Sequence, residues 1–146
     1  MSQTTLDIKE PGLNVLPPGV ERHIVNAGGL TGLQIYPDDE IEIVNEEGNQ
    51  ICEIICFDKD GKSELGILNQ KENCKKSFIK ELLKGKDESS LITNLQLKKR
   101  NLDINKSKSS ILFDEQTPSG EKIKMKSKDK CYVIFAAPQN NMLVSE

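Results

Sequence analysis

The sequence has no tryptophan and few aromatic residues, which occupy 4% of its 146 positions. Proteins that stack bases or sugars need exposed aromatic rings, so this composition argues against such a surface. No apolar run approaches the ~20 residues that a membrane-spanning helix requires. The first residues also lack the basic, apolar and small-residue regions of a secretory signal. We therefore expect a cytoplasmic protein with no membrane partner.

Positive charge is scarce in the first half of the chain. Residues 1–70 contain thirteen acidic and four basic residues, whereas residues 71–100 contain four acidic and nine basic ones. A nucleic-acid-binding domain usually has a basic footprint across its surface, but here the positive charge is confined to one short segment. That segment is typical of a solvated helix face. We therefore expect no nucleic-acid partner.

The chain is rich in short apolar segments separated by turn residues. Residues 40–43 alternate polar and apolar side chains, as a half-buried strand does. Residues 50–57 are apolar on both faces, which predicts a central strand. Residues 1–19 contain three prolines and are predicted to form an extended lead-in. Further strands are predicted at residues 22–25, 32–35, 111–113, 122–125 and 131–136.

The hydrophobic period changes to that of a helix after residue 70. One predicted helix has an apolar stripe formed by Cys74, Phe78, Ile79, Leu82 and Leu83. Its start resembles a capping box of Asn69 with Glu72, and Gly85 is placed to end it. A second helix, capped by Ser89 or Ser90, would carry Leu91, Ile92 and Leu95. Residues 103–110 are polar and are predicted to be a loop.

These segments predict a mostly β (α+β) fold. The two groups of strands flank the helices in sequence, so the strands must pair across them. We therefore predict an antiparallel β sandwich or small barrel formed by a single domain of residues 20–146, with a helical insertion at about residues 70–99. The apolar Met142-Leu143-Val144 predicts either a final strand or a chain that continues into a longer multidomain protein.

The four cysteines are candidate metal ligands or nucleophiles. Cys52 and Cys56 have a spacing that suits a single metal ion only on a helix or a tight knuckle. On a strand, four residues span about 13 Å, whereas two sulfurs bound to one zinc ion lie within ~4 Å of each other. Because their neighbours predict a strand, we interpret both as buried, reduced thiols, and Cys74 and Cys131 as core residues. We predict no metal site and no cofactor within this chain.

The remaining candidate motifs favour structural roles. His23, the one imidazole able to pair with a thiol, lies in a predicted strand. Asp58-Lys59-Asp60-Gly61 begins like a calcium loop, but the closing position is Asn69 instead of glutamate. The glycines of residues 28–32 match neither a P-loop nor a dinucleotide-binding motif. We therefore assign no catalytic residue.

Residues 20–60 combine several features in a characteristic order. Ala27-Gly28 is followed by a turn at Asp38-Asp39, which precedes an isoleucine-rich strand. Glu47-Gly48-Asn49-Gln50 then precedes an apolar strand that carries Glu53 and Cys56. This arrangement resembles the urea-carboxylase-associated family, a group of β-rich bacterial domains.

The resemblance implies a ligand-binding role for Gln50, Glu53 and Cys56. Active members of the family are thought to be metal-dependent and to carry a downstream Arg-His-Asp-Thr segment with a nearby cysteine. The sequence has no such segment, and Glu53 stands where the family has an aspartate. The chain therefore resembles a copy that keeps the fold and loses the metal ligands.

Such domains are also similar to the N-terminal region of long proteins that resemble aminomethyltransferases. Those enzymes are folate-dependent, act on one-carbon units and are related to the T-protein of the glycine cleavage system. The similarity implies a non-catalytic accessory or ligand-binding domain that belongs to, or partners, such an enzyme and binds a small amine-bearing ligand. The alternative is a small metal- or thiol-dependent hydrolase or deiminase that uses Glu53 or Cys56.

Overall fold

The computed structural model describes residues 3–6, 21, 23–73, 77–113 and 116–138. Two α-helices lie in this part of the chain, α1 (Phe78–Leu82) and α2 (Glu88–Lys99), with short 3-10 helices at Leu65–Leu68 and Ile104–Lys106. The strands are β1 (Gln3–Leu6), β2 (His23–Asn26), β3 (Gly29–Ile35), β4 (Glu40–Asn45), β5 (Cys52–Asp58), β6 (Ser109–Phe113), β7 (Glu121–Lys126) and β8 (Cys131–Ala137).

The strands form two four-stranded antiparallel sheets that pack as a sandwich. The first sheet has the order β2-β1-β4-β7, and the second has the order β3-β8-β5-β6. Adjacent strands in both sheets are antiparallel. β5 and β6 pair directly although both helices separate them in sequence. The predicted mostly β fold is therefore confirmed, in its sandwich form.

Two hydrophobic clusters hold three layers together. The first cluster lies between the sheets and joins Ile41 and Ile43 of the first sheet to Ile54 and Phe135 of the second. The second cluster lies between the second sheet and the two helices. Because β5 and β8 contribute to both clusters, each must be apolar on both faces, which is the pattern that residues 50–57 display.

Residues 3–6 form an inner strand of the first sheet. β1 pairs with β2 on one side and with β4 on the other. The sequence predicts an extended lead-in for this segment. The backbone is indeed extended, but it is an integral part of the sheet. Gln3-Thr4-Thr5-Leu6 is short and largely polar, so its own sequence gives little signal of partners that follow it by many residues. Residues 7–20 lie outside the described part of the chain.

α1 begins later than the sequence predicts, and α2 begins slightly earlier. Ser77 caps α1, since its Oγ accepts a hydrogen bond from Lys80 N at 3.3 Å. The predicted cap, Asn69, instead ends the 3-10 helix at Leu65–Leu68 in a left-handed conformation, with φ of 59°. Asp87 caps α2 in place of Ser89 or Ser90, because its carboxylate accepts a hydrogen bond from Ser90 N at 3.4 Å. The same carboxylate accepts a second one from Ser89 Oγ at 2.7 Å. Those hydrogen bonds, Ser89 first, lower the pKa of Asp87.

Asn73 covers the outer edge of β6. Its Oδ1 accepts a hydrogen bond from Ile111 N at 2.6 Å, and its Nδ2 donates to Ile111 O at 3.2 Å. Its backbone N–H donates to Ser109 O at 3.1 Å. β6 begins at Ser109, inside the segment predicted to be a loop at residues 103–110. The side chain and backbone of Asn73 thus satisfy polar groups that a neighbouring strand would otherwise pair with.

Among the described residues, no helix has the length and apolar character needed to cross a membrane. Cys74 and residues 142–144, which carry two predictions made above, lie outside the described residues.

Candidate functional site

β5 carries two of the three predicted ligand-binding residues on opposite faces. Cys52, Ile54 and Cys56 belong to the cluster between the sheets. Ile55 and Phe57 point to the helices, and Glu53 bonds to α1 on that same side. The predicted strand at residues 50–57 is confirmed as β5, Cys52–Asp58.

Glu53 is fully buried and accepts hydrogen bonds from the start of α1. Its Oε1 accepts from Phe78 N at 2.8 Å and from Ile79 N at 3.1 Å, while its Oε2 accepts from Ser77 Oγ at 2.8 Å. The first backbone N–H groups of a helix have no partner within the helix, so a carboxylate from a neighbouring strand stabilises them. Ser77 in turn caps α1, so Glu53 and Ser77 together fix where the helix begins. The carboxylate is occupied by three donors of the protein itself.

Gln50 is also buried and bonded to the main chain. Its Nε2 donates to Ile51 O at 2.9 Å and to Pro138 O at 2.8 Å. Its own carbonyl oxygen accepts from Asn45 Nδ2 at 2.9 Å, and Asn45 Oδ1 accepts from Gly48 N at 3.0 Å. The Glu47–Gln50 motif is therefore a tight turn tied to the end of β4.

The turn requires a glycine at position 48. Its φ is +80°, and a β-carbon there would lie 2.8 Å from Ser119 N. Asn49 follows in a left-handed conformation, with φ of 58°, and its N–H donates to Thr117 O at 2.7 Å. The residues that carry the family resemblance thus close the gap between the end of β4 and the loop before β7.

Cys56 forms a buried thiol pair with Cys131 at the start of β8. The two are diagonal neighbours, because Cys56 pairs with Val133 and Asp58 pairs with Cys131. A hydrogen bond between the thiols, followed by burial, raises the pKa of Cys56. The same hydrogen bond lowers the pKa of Cys131, whose Sγ lies 3.5 Å from Ser127 Oγ. Cys131 is therefore the first of the pair to ionise.

Cys52 is separated from this pair by the length of the strand. Burial, followed by the negative charge of Glu53, raises its pKa from 9.0 to about 12. Within the described residues, no three histidine, cysteine, aspartate or glutamate side chains cluster closely enough to hold a metal ion. His23 lies in β2, and its Nε2 is 3.1 Å from Glu21 Oε1.

The helix-facing side of the second sheet holds a polar group that the sequence analysis missed. Tyr132 is 4% exposed, and its Oη is buried without a hydrogen-bond partner in the described structure. The Arg100 guanidinium lies 4.5 Å from the centre of the Tyr132 ring. Arg100 Nη1 also donates to Gln34 Oε1 at 2.7 Å, and Gln34 Nε2 donates to Cys131 O at 2.8 Å. These residues meet because β3, β8 and the end of α2 lie next to one another in the fold. Their spacing in the sequence therefore does not predict the contacts.

A shallow cavity of about 420 Å³ lies where the outer strands β6 and β7 meet. Its apolar lining includes Leu112, Phe113 and Ile123. None of the three predicted ligand-binding residues lines it. The structure therefore places Gln50, Glu53 and Cys56 in three separate environments, and their predicted role in ligand binding remains a prediction.

The chain is similar to part of a much longer protein. It is 33% identical over 131 residues to the trimethylamine-oxide aldolase of Ruegeria pomeroyi. The aligned region covers 90% of this chain and 17% of the aldolase, so the chain spans about a sixth of the relative's length. No protein-family model matches the chain, and no solved structure matches it. The resemblance to the urea-carboxylase-associated family thus remains a prediction, while similarity to a segment of the aldolase is established.

Proposed function

We propose that the chain is a non-catalytic accessory module of an enzyme similar to trimethylamine-oxide aldolase. The observation that carries this proposal is the match itself, which takes in nearly all of this chain but only 17% of the aldolase. Most residues of the aldolase lie outside the region that aligns with this chain. In that arrangement the chemistry belongs to the longer part, and the module contributes a stable docked fold.

The positions of the polar residues support this role. Glu53 caps α1 with both of its oxygens, and Gln50 bonds to two backbone carbonyls. A catalytic acid or base needs an oxygen or nitrogen that can reach a substrate proton. These two side chains are committed to the fold, which is what a structural module requires.

The longer part is proposed to be aminomethyltransferase-like. The relative is named for its action on trimethylamine oxide, which is a small amine oxide. A small amine or amine oxide is accordingly the ligand class for the whole assembly. This part of the proposal rests on the resemblance described under Sequence analysis.

The thiol-dependent alternative is less consistent with the structure. A nucleophilic cysteine needs an accessible thiolate and therefore a lowered pKa. Cys56 is fully buried, and its hydrogen bond to Cys131 together with burial raises its pKa. The proposal is therefore made for the accessory module.

A replacement experiment tests the accessory role. The aligned stretch of the Ruegeria pomeroyi aldolase is exchanged for this chain, and consumption of trimethylamine oxide is followed by nuclear magnetic resonance. We expect the chimera to keep the activity, and the isolated chain to have none. Variants Glu53→Gln and Cys56→Ala in the chimera should change kcat by less than about threefold below their unfolding temperatures.

Two results would contradict the proposal. One is turnover of trimethylamine oxide by the isolated chain. The other is a loss of kcat of about a hundredfold or more in a folded Glu53→Gln or Cys56→Ala chimera, which is the size expected for a group acting in the transition state. Thermal unfolding of each variant, measured in the same buffer, separates this result from simple instability.

A further inference from the structure

The outward face of α2 is apolar, whereas much of its inward face is polar. Leu91, Ile92 and Leu95 are 52%, 51% and 66% exposed. Ser90 and Thr93 are buried together with Leu97. This is the reverse of a surface helix that buries its apolar stripe and solvates its polar one. An apolar cluster of this kind on a helix marks an interaction surface.

The centre of this face carries four residues in a symmetric order. Glu88, Ile92, Leu95 and Lys99 are all exposed and follow one another at spacings of four, three and four residues. Such alternating spacings keep side chains on one face of a helix, as in a coiled-coil seam. The stripe reads acidic, apolar, apolar, basic. Reversing its direction exchanges the two charges and leaves the apolar pair in the middle.

We propose that α2 is a dimerisation helix that pairs antiparallel with α2 of a second copy of this chain. About a two-fold axis between positions 93 and 94, Ile92 of one copy meets Leu95 of the other. Glu88 of one copy then meets Lys99 of the other, and the same two contacts recur on the far side of the axis. This is the self-complementary geometry of a two-fold interface. The stripe matches itself in both charge and apolarity.

The electrostatics favour the antiparallel direction over the parallel one. In a parallel pair, Glu88 would face Glu88 and Lys99 would face Lys99, which is repulsive at both ends. The antiparallel arrangement also places the negative end of each helix dipole beside the positive end of the other. One helix face is smaller than a standard stable interface, which buries about 1,200–2,000 Å² in total. We therefore expect a concentration-dependent dimer.

Sedimentation velocity of the purified chain over a concentration series tests the proposal. We expect the average mass to rise from that of a monomer towards that of a dimer. Leu95→Glu should weaken dimerisation by about tenfold or more, since it places a carboxylate against the partner's Ile92. Ile24→Glu is the matched control, because Ile24 is 53% exposed on β2 at the edge of the first sheet, whereas α2 packs against β3 of the second sheet. It should leave the dimerisation constant unchanged.

Charge exchange distinguishes this dimer from any other contact. Glu88→Lys alone and Lys99→Glu alone each turn two attractive contacts into repulsive ones and should weaken the dimer by about three- to tenfold. The double variant restores opposite charges and should recover the original constant. Circular dichroism checks that α2 is intact in each variant.

A chain that stays monomeric at the highest attainable concentration would overturn the proposal. A dimer that is insensitive to Leu95→Glu, or a double charge variant that is weaker than both single ones, would overturn it too. The proposal does not depend on the proposed function, because the measurement needs neither substrate nor the rest of a longer enzyme.

Discussion

The ring of Tyr132 lies across Gly32 of the neighbouring strand. A β-carbon at position 32 would stand 2.5 Å from Tyr132 Cζ and closer still to the hydroxyl oxygen. β3 and β8 can therefore hold Tyr132 between the second sheet and the helices only if residue 32 has no side chain. This position places the tyrosine hydroxyl in an apolar cluster that includes Leu30, Ile134 and Leu97.

Gly32→Ala is expected to lower the free energy of unfolding by about 1–3 kcal/mol, because overpacking a buried contact forces side chains or backbone to move. Chemical denaturation measures the change. Gly66→Ala is the control, since a β-carbon there meets only the flexible end of the Glu64 side chain. Equal stability losses in the two variants would contradict the packing of Tyr132 against Gly32.

Tyr132→Phe is expected to raise the free energy of unfolding by about 1 kcal/mol. The variant removes a buried hydroxyl that has no hydrogen-bond partner in the described structure, and so removes the cost of its desolvation. The phenyl ring keeps its place under Arg100. Thermal and urea unfolding check this result, and a clear loss of stability would mean that the hydroxyl makes a favourable contact.

Glu53→Gln is expected to lower the free energy of unfolding by about 2–4 kcal/mol. The amide has one acceptor oxygen where the carboxylate has two, so at least one of the three donors at the start of α1 loses its partner. Glu81→Gln is a control on the same helix, because Glu81 is exposed and forms only a surface ion pair with Lys84. Urea unfolding compares the two. Similar values for both variants would contradict the capping role of Glu53.

Stability should fall at alkaline pH through Cys52. The unfolded thiol ionises near its ordinary pKa of 9.0, whereas burial keeps the folded thiol protonated up to about pH 12. Between these values the folded state binds more protons than the unfolded state, so the free energy of unfolding decreases by about 1.4 kcal/mol per pH unit for this group. Below pH 9 its contribution is complete and constant.

Cys52→Ala removes this ionisation. The free energy of unfolding should then fall less steeply above pH 9, by about 1.4 kcal/mol per pH unit, which corresponds to one proton. Urea unfolding from pH 8 to 11 in the presence of a reductant measures it. The pKa of Cys56 is also raised, so its ionisation destabilises the folded state in the same direction. The free energy of unfolding of the wild type should therefore fall more steeply with pH than that of Cys52→Ala or Cys56→Ala. An unchanged slope in Cys52→Ala would show that Cys52 ionises alike in both states.

The central strands of the fold could be predicted because each carries its own signal. β5 is apolar on both faces, and that pattern requires layers on both sides whatever surrounds it. The role of Glu53 could not be predicted in the same way. Its partners lie 24 to 26 residues further on, and no local period links a strand residue to the first turn of a helix packed over it.

The orientation of α2 shows where hydrophobicity alone misleads. Leu91, Ile92 and Leu95 are the apolar residues from which the sequence predicts this helix, and all three are exposed in the structure. Ser90 lies inward because its hydroxyl donates to Leu82 O at 2.7 Å, and Thr93 Oγ1 donates to Ser89 O at 2.8 Å. Small side chains that satisfy their own hydroxyls let the helix lie close to β3, and the larger residues are turned outward.

The contacts of Asn73 have a consequence for aggregation. The exposed border of a β-sheet offers a template on which a foreign strand can assemble, and such assembly begins amyloid growth. Along β6, one asparagine already occupies the donor and the acceptor of Ile111 and the carbonyl of Ser109. An incoming polypeptide would have to displace it before forming its first pair. Asn73 therefore blocks the addition of a fifth strand next to β6.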